Sequence, residues 1–175
     1  MDSFVCKIAT RDEIIKRMNY LIETHPNNNV WIEAKENALK GFDEQSKIMY
    51  IGVLNDEIIC EATTYIKESA FIGDVKEPEG LLSKTMAYFS GFRTNKEYEG
   101  KGYFGKLYNF MEDDLKKRGY TEFCLGVKPR NVRNMEIYFH LGFREFIKSI
   151  IEYEPVKNNK SKTELVVINY FKKKI

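Results

Sequence analysis

The order of the predicted elements and the composition favour an α/β (α+β) fold with one central sheet flanked by helices. Strand-like and helix-like segments follow one another as βααβββαβαββ, an alternation typical of layers packed around a single sheet. The chain has 175 residues, of which 43% are hydrophobic and 31% are charged. That length and composition suit one soluble domain with a real core. We therefore expect a single domain over residues 1–175.

The first half of the chain contains a capped helix and a hairpin. Thr10 and Glu13 have capping-box spacing ahead of an apolar stripe of helical period. Asn55-Asp56 is a tight-turn signal between two apolar runs. The predicted elements are a strand over 4–10, a helix from Thr10 to about His25, a helix over Trp31–Phe42, strands over Lys47–Leu54 and Glu57–Lys67, and a loop over 68–84.

The second half is dominated by one strongly amphipathic helix. Phe104, Leu107, Met111 and Leu115 share a face at helical spacing, and Gly119 is a typical terminator. The predicted elements are a strand over Thr85–Asn95, a helix over Gly102–Arg118, a strand over Glu122–Val127, a helix over Asn131–Leu141, and strands over Glu145–Glu154 and Leu165–Phe171 around a solvated Lys157–Thr163 loop.

Charge and cysteine usage exclude several classes of protein. The 28 Lys and Arg residues nearly balance the 26 Asp and Glu residues, for a net charge of +2. We therefore expect neither a nucleic-acid nor a membrane partner. Cys6, Cys60 and Cys124 lie far apart in apolar runs, so they predict buried free thiols rather than a metal or redox site. The N-terminus has no signal-peptide pattern, and we expect a cytoplasmic protein.

The segment Gly100-Lys101-Gly102-Tyr103-Phe104-Gly105 lies between a predicted strand and a predicted helix. Glycines let backbone N–H groups approach an anion closely, and a helix N-terminus adds free donors and partial positive charge. This combination suits a pyrophosphate group and needs little basic side-chain charge.

Other phosphate-binding folds match this segment less well. A dinucleotide-binding fold would place its glycine loop after the first strand, whereas this loop begins near residue 100. A Walker loop needs a hydroxyl after the lysine, and Leu107 stands there. Protein-kinase motifs do not follow downstream. A glycine-rich turn without a ligand stays open as the simplest alternative.

Two motifs in order carry a family resemblance. Glu99 to Leu107 is similar to R/Q-x-x-G-x-G/A followed by a helix leucine, and Asn131-x-x-Asn134-x-x-Ile137-Tyr138-x-x-x-Gly142-Phe143 is similar to N-x-x-A-x-x-L-Y-x-x-x-G-F. From Tyr88 to about Ile147 the chain thereby resembles the GNAT superfamily of acyl-CoA N-acyltransferases. The resemblance implies a mixed, mostly antiparallel sheet, acetyl-CoA as co-substrate and an amine as acceptor.

The resemblance also implies roles for the matched residues. The backbone of Phe92, Arg93 and Thr94 would pair with the pantetheine arm like an added strand. Amides from Gly100 to Gly105 would bind the pyrophosphate, and Asn131 would hydrogen-bond the arm. Tyr138 would act as general acid for the leaving thiolate. The alternatives without a catalytic or binding role are that Tyr138 is a core aromatic and that Asn131 only caps its helix.

The chain departs from the family pattern at the loop. Glu99 stands in place of Arg or Gln, Glu97 adds a second acid, and Phe104 stands in place of a small residue. We expect these changes to affect affinity rather than identity, because the backbone makes the main contacts. The Phe104 side chain either crowds the loop or turns into the core.

The general base and the acceptor are left open. Some family members have a carboxylate near the position of Tyr88, so the candidates here are Tyr88 through water, Glu61 or solvent alone. Glu61 fits a solvated or paired strand residue better. An acidic rim would suit a cationic acceptor, although such clusters are usually solvated faces; it comprises Glu33, Glu36, Glu44, Asp74, Glu77 and Glu79. The missing carboxylate also motivates a non-catalytic acyl-CoA-binding regulatory module, and homodimerisation is a further hypothesis.

Overall fold

The computed structural model describes residues 3–26, 29–71, 75, 77–156 and 159–175. Its elements are β1 (Phe4–Ile8), α1 (Arg11–Thr24), α2 (Val30–Asp43), β2 (Lys47–Leu54), β3 (Glu57–Tyr65), β4 (Met86–Thr94), α3 (Tyr103–Lys117), β5 (Glu122–Val127), α4 (Val132–His140), β6 (Glu145–Val156) and β7 (Asn159–Lys174). In this part of the chain, seven strands form one sheet in the order β1-β2-β3-β4-β5-β7-β6. Strands β4 and β5 are parallel, and the pairs β1–β2, β2–β3, β5–β7 and β6–β7 are antiparallel. The predicted fold class, a mixed and mostly antiparallel sheet with helices, is confirmed.

The chain divides into two compact units. The N-terminal unit comprises Met1–Lys76 and Ser90–Gly119, and the C-terminal unit comprises Glu77–Phe89 and Tyr120–Ile175. Strand β4 contributes its first residues to the C-terminal unit and its last residues to the N-terminal unit. None of the helices that the structure describes is both long and apolar enough to cross a membrane.

Helix α1 starts and packs as its sequence predicts. Thr10 accepts from the Glu13 N–H and Glu13 accepts from the Thr10 N–H, so the capping box is complete. The apolar stripe of α1 then buries Ile14, Met18 and Leu21 against the sheet residues Met49, Ile51 and Ile58. Helix α2 covers the same cluster with half-buried side chains that include Trp31 and Phe42.

The β2–β3 hairpin and α3 complete the N-terminal unit. Asn55 and Asp56 have φ angles of 49° and 64°, as a type I′ turn requires. Helix α3 buries Leu107, Tyr108, Met111 and Leu115. The predicted face therefore gains Tyr108, whereas Phe104 is only half-buried. At the other end of this helix, Gly119 adopts φ 92°.

A buried ionic network ties α1 to the sheet of the N-terminal unit. The Glu61 side chain on β3 is 0% exposed and the Arg17 side chain on α1 is 1% exposed. Arg17 Nε donates to Glu61 Oε2, and Arg17 Nη1 donates to Ile58 O at 3.1 Å and to Asn95 Oδ1 at 2.7 Å. Arg93 Nη1 donates to Glu61 Oε1 at 2.6 Å. Every charge buried here thus has an opposite partner.

Aromatic rings form much of the core of the C-terminal unit. The rings of Phe89 and Phe123 lie 4.6 Å apart, and Phe143 contacts Phe89 edge-on at 5.9 Å. Helix α4 adds Phe139, whose ring meets that of Phe171 on β7 at 5.2 Å. These offset and edge-on arrangements are the favoured geometries for aromatic pairs.

Most predicted elements are confirmed to within two residues at each end, which is the usual uncertainty of such boundaries. The predicted loop over Lys157–Thr163 is wrong for residues 159–163, which belong to β7. Asn159 and Thr163 pair with Val156 and Pro155 of β6, so a polar sequence can still belong to a strand. Residues 157 and 158, with Asn27, Asn28, Gly73 and Asp74, lie outside the described residues.

Replacing Arg17 by Met should destabilise the protein strongly. The substitution leaves Glu61 buried with one guanidinium partner instead of two. It also removes the Arg17 hydrogen bonds to Asn95 Oδ1 and Ile58 O. Breaking a buried ion pair costs about 3–5 kcal/mol. Urea unfolding followed by circular dichroism should therefore show a loss of that order in the free energy of unfolding.

Arg11→Met is the matched control, because it removes an ion pair from the same helix. Its pair with Asp43 is exposed, with side chains 47% and 52% accessible, so the unfolding midpoint should barely change. An equal loss in the free energy of unfolding in the two variants would show that the buried Arg17–Glu61 pair stabilises the fold no more than an exposed pair does.

The cysteines are free thiols of unequal burial. Cys60 and Cys124 are buried, as predicted, whereas Cys6 is only half-buried. Burial raises the thiol pKa of Cys60 and of Cys124 to about 12. The pKa of Cys6 is also raised by burial, with a smaller opposing effect of Lys106. Because the thiolate is the reactive form, the buried pair is chemically protected.

A disulfide reagent should therefore discriminate between the thiols at pH 8. We expect the native protein to react slowly and at Cys6 alone, so a Cys6→Ser variant should give almost no signal before unfolding. In guanidinium chloride all three cysteines should react. Rapid reaction of Cys60 or Cys124 in the native state would contradict the burial of these side chains.

Candidate functional site

The glycine segment forms an open turn that leads directly into α3. Gly100 and Gly102 adopt φ angles of 73° and 81°, in the left-handed region that glycine tolerates best. Gly102 is the N-cap of α3, and no side chain caps this helix start. A Cβ added at Gly100, Gly102 or Gly105 would meet no atom of the described structure within 4 Å. The turn is therefore not closed by packed side chains.

The start of α3 offers several main-chain donors. The first hydrogen bond of the helix runs from the Lys106 N–H to Gly102 O at 3.3 Å. The N–H groups of Gly102, Tyr103, Phe104 and Gly105 precede it and so have no partner inside the helix. Their dipoles add to the positive end of the helix macrodipole. This arrangement fits a diphosphate group, the anion that the sequence predicts here.

The side chains around the turn leave it accessible. Glu97, Glu99, Lys101 and Lys106 are all exposed, so their charges act through water. The Phe104 ring packs edge-on against Phe92 at 5.4 Å and faces Tyr108 at 6.3 Å. It therefore lies half-buried on the Tyr108 face of α3, against the end of β4. The ring packs on these neighbouring side chains while the turn stays open.

The end of β4 lies beside the start of α3 in the N-terminal unit. The Phe92–Phe104 contact brings the two elements together. The parallel register of β4 with β5 runs from Met86–Glu122 to Phe89–Leu125. Gly91 follows, with φ 67°, and Phe92, Arg93 and Thr94 are half-buried. The predicted pantetheine segment thus lies after the part of β4 that pairs with β5.

In the C-terminal unit, α4 carries the second motif. Asn131 is exposed and is the N-cap of α4, where its Oδ1 accepts from the Asn134 N–H at 3.4 Å. Tyr138 is half-buried on the same helix, and the neighbouring Phe139 makes the core contact with Phe171. The two aromatic side chains of α4 are thus buried to a similar degree.

Tyr88 also belongs to the C-terminal unit. It is 7% exposed, and its ring lies 6.3 Å from that of Tyr170. Burial raises the pKa of the Tyr170 hydroxyl to about 12, with a smaller contribution from the carboxylate of Glu152. Tyr88 therefore lies in buried, partly aromatic surroundings.

Glu61 is neither solvated nor available as a lone carboxylate. The sequence left open whether Glu61 is solvated or paired, and the structure shows it paired. Its side chain is wholly buried, and Arg17 and Arg93 each form an ion pair with one of its carboxylate oxygens. The sequence did not reveal that Arg17 is buried. The one available signal was its position in the apolar stripe of α1, between Ile14 and Leu21.

A cavity of about 100 Å³ opens beside this network inside the N-terminal unit. Helices α1 and α2 form one wall, and β2, β3 and β4 form the other. Its polar lining includes Glu61, Arg93 and Lys47. His25 and His140 do not line it, and both are exposed. Among the described residues, no cluster of His, Cys, Asp or Glu could hold a metal ion.

Comparisons with known proteins agree with the fold and the motifs. A sequence model of the Acetyltransferase (GNAT) family matches residues 15–143. No curated protein sequence matches the chain. An acetyltransferase of the GNAT family from Streptococcus pneumoniae is similar in structure, with a TM-score of 0.69 at 12% identity over 99% of this chain and 100% of that one.

Two further solved structures are similar over nearly the whole chain. The ribosomal-protein-S18-alanine N-acetyltransferase of Escherichia coli has a TM-score of 0.68 at 16% identity, covering 99% of this chain and 94% of that one. The yncA protein of Salmonella typhimurium, solved with acetyl-CoA, has a TM-score of 0.66 at 15% identity, covering 98% and 94%. At these identities the structures bear on the fold alone. With the family model matching most of the sequence, the chain belongs to the GNAT family of acetyltransferases.

Proposed function

We propose that the protein is an N-acetyltransferase that moves an acetyl group from acetyl-CoA to a primary amine of a small molecule or peptide. The whole chain acts as one catalytic domain, and its free thiols fit a reducing cytoplasm. The observation that carries the proposal is the uncapped, glycine-lined start of α3. Family membership supports acetyl-CoA as the co-substrate.

The N-terminal unit holds the co-substrate through its main chain. The N–H groups of residues 102–105 bind the pyrophosphate, and Lys101 and Lys106 offset the two nearby acids. The backbone of Phe92, Arg93 and Thr94 pairs with the pantetheine arm in the manner of an added strand. Because these contacts come from peptide groups, they tolerate the unusual side chains of this loop.

The C-terminal unit supplies the acid. Asn131 hydrogen-bonds the arm of the co-substrate while it caps α4. The neutral amine attacks the thioester carbonyl, a C–N bond forms, and the C–S bond breaks. The Tyr138 hydroxyl donates a proton to the departing sulfur, and the positively charged nitrogen of the tetrahedral adduct loses a proton to a base or to solvent, which leaves a neutral amide and free coenzyme A thiol. A phenol suits this step because it remains protonated at neutral pH.

The route of the amine proton involves Tyr88 or solvent. A general base needs a lone pair within reach of the proton it removes. Both oxygens of Glu61 already accept from guanidinium groups, so we discard this side chain as the base. Tyr88, acting through a water molecule, remains the candidate from the chain itself.

A non-catalytic acyl-CoA-binding module is the alternative. The observation behind it is that β4 offers no carboxylate at Met86, Tyr88, Ser90 or Phe92. The two functions differ in one measurement, the release of free coenzyme A thiol with a panel of amines. Tight acetyl-CoA binding without thiol release from any amine would favour the module.

Gly105→Glu should abolish much of the acetyl-CoA affinity without harming the fold. Gly105 has space around its Cα, and Glu in the first turn of a helix is stabilising. The added carboxylate would compete with the pyrophosphate for the same amides. Calorimetry should show the dissociation constant for acetyl-CoA raised at least about tenfold, equivalent to about 1.4 kcal/mol.

Gly105→Gln is the control of equal size without the charge. It should weaken binding less than Gly105→Glu does, and both variants should unfold at least as late as the wild type. Position 105 is preferable to Gly102, where φ 81° adds backbone strain to any substitution. Unchanged affinity in Gly105→Glu would place the diphosphate elsewhere.

Tyr138→Phe should lower turnover and leave co-substrate binding nearly intact. The substitution removes only the hydroxyl, and general acids contribute about a hundredfold or more to rate. Steady-state thiol release should show a kcat reduced by about that factor, while the calorimetric affinity for acetyl-CoA stays within about twofold. Tyr153→Phe, at a 67% exposed position of β6, is the matched control and should keep full activity. An unaltered kcat in Tyr138→Phe would remove Tyr138 from the mechanism.

A further inference from the structure

The residues that line the cavity of the N-terminal unit favour some classes of acceptor molecule over others. Its volume of about 100 Å³ is below the roughly 300 Å³ of a small ligand site, so it accommodates one part of a ligand rather than a whole one. Its described lining contains one acid, Glu61, and two cations, Lys47 and Arg93. Both oxygens of Glu61 are bound by arginines, one of which, Arg17, brings a further positive charge. The walls therefore carry a surplus of positive charge.

Arg93 has hydrogen-bonding capacity left over. Its described hydrogen bonds run through Nη1 alone, to Glu61 Oε1 at 2.6 Å and to Gly91 O at 3.4 Å. The side chain is 40% exposed, and among the described residues its Nε and Nη2 make no hydrogen bond. Guanidinium N–H groups form a fixed fork that matches a carboxylate. The arginine is thus held by one carboxylate and can receive a second.

Trp31 supplies another donor beside the arginine. The Arg93 guanidinium lies 4.7 Å from the centre of the Trp31 ring, which fixes both side chains on the cavity wall. The Trp31 Nε1–H is buried and finds no acceptor in the described part of the chain. A buried donor of this kind is unusual in a folded protein, and an oxygen atom of a ligand or of a water molecule would satisfy it.

The remaining lining is mixed, with apolar side chains next to Asn37, Thr63, Tyr65 and Ser90. Met18 of α1, with Ala34, Ala38 and Phe42 of α2, faces the cavity together with Met49 of β2. None of the predicted acidic rim residues that the structure describes lines it; Asp74 lies outside the described residues. The surroundings therefore disfavour a polyamine or another polycation.

We infer that the acceptor is a small amine that carries a carboxylate and an apolar body, of which an apolar L-α-amino acid is the simplest case. This inference rests on the proposed acetyl transfer. The carboxylate pairs with Arg93 and accepts from the Trp31 indole, and the apolar body lies against α1 and α2. Strand β4 connects the two functions, because the side chain of Arg93 lines the cavity while its backbone belongs to the segment proposed for the pantetheine arm.

The direct test compares acids with their carboxamides. Thiol release from acetyl-CoA is measured with L-leucine against L-leucinamide, with L-phenylalanine against L-phenylalaninamide, and with spermidine. We expect kcat/KM to be at least about tenfold higher for each acid, the usual effect of losing a hydrogen bond to a charged group. The amine of a carboxamide is less basic and more of it is free base, so this preference cannot arise from amine ionisation.

Two variants assign the preference to the cavity. Trp31→Phe keeps an aromatic ring over Arg93 and removes the donor, and Arg93→Lys keeps a charge for Glu61 and removes the fork. Each should raise KM for the acids by about tenfold, and in Trp31→Phe the low kcat/KM for the amides should stay within about twofold. Arg130→Lys, in an exposed ion pair with Glu164, is the control. If Arg93→Lys is poorly folded, Trp31→Phe decides alone.

The outcomes separate this inference from the proposed function. Absence of both acetyl-CoA binding and thiol release would defeat the two together. Turnover that favours the carboxamides or spermidine, or that treats acids and amides alike, would overturn the acceptor assignment and leave acetyl transfer standing. Acetyl-CoA binding without turnover of any acid would count against the assignment as well, as would unaltered KM values in Trp31→Phe.

Discussion

The buried carboxylate of Glu61 is the constraint around which the N-terminal unit is arranged. A charge removed from water is stable only when opposite charges and hydrogen bonds surround it, so α1 must bring Arg17 to β3 and β4 must bring Arg93. Asn95 Oδ1 and Ile58 O then accept from Nη1 of Arg17. The same pairing fixes Arg93 at the cavity wall with donors to spare. Structural and ligand-binding requirements thus meet in one side chain.

Local signals in the sequence predicted most of the fold. The Thr10–Glu13 box, the Asn55-Asp56 turn and the helical stripe of α3 each depend on neighbours within a few residues, and each is confirmed. The start of β7 was missed because its strand character comes from pairing with β6 rather than from its own residues. A polar segment that pairs with a neighbouring strand through its backbone lacks the alternation of apolar and polar residues by which a strand is predicted from sequence.

In the candidate site, too, features encoded by neighbouring residues were predictable, and features that depend on tertiary packing were not. The glycine turn and α4 were predictable because a short motif encodes each of them. The cavity was not predictable, because Arg17 and Glu61 lie 44 residues apart and each alone is typical of a solvated surface. Their burial follows from tertiary packing, and so does the excess of positive charge where acidic residues had suggested a cationic acceptor.

The main chain and the side chains have different functions in the proposed site, which explains the unusual residues of the glycine loop. The diphosphate depends on peptide N–H groups at the start of α3, so Glu99 can stand outside the turn in water and Phe104 can pack on Phe92 and Tyr108 without closing it. An acceptor, by contrast, has to be distinguished from other amines, and only side chains differ enough to do that. Selection for one acceptor would therefore act on the walls formed by α1, α2 and β4, where Arg93 and Trp31 lie, while the loop needs only its glycines and an open helix end.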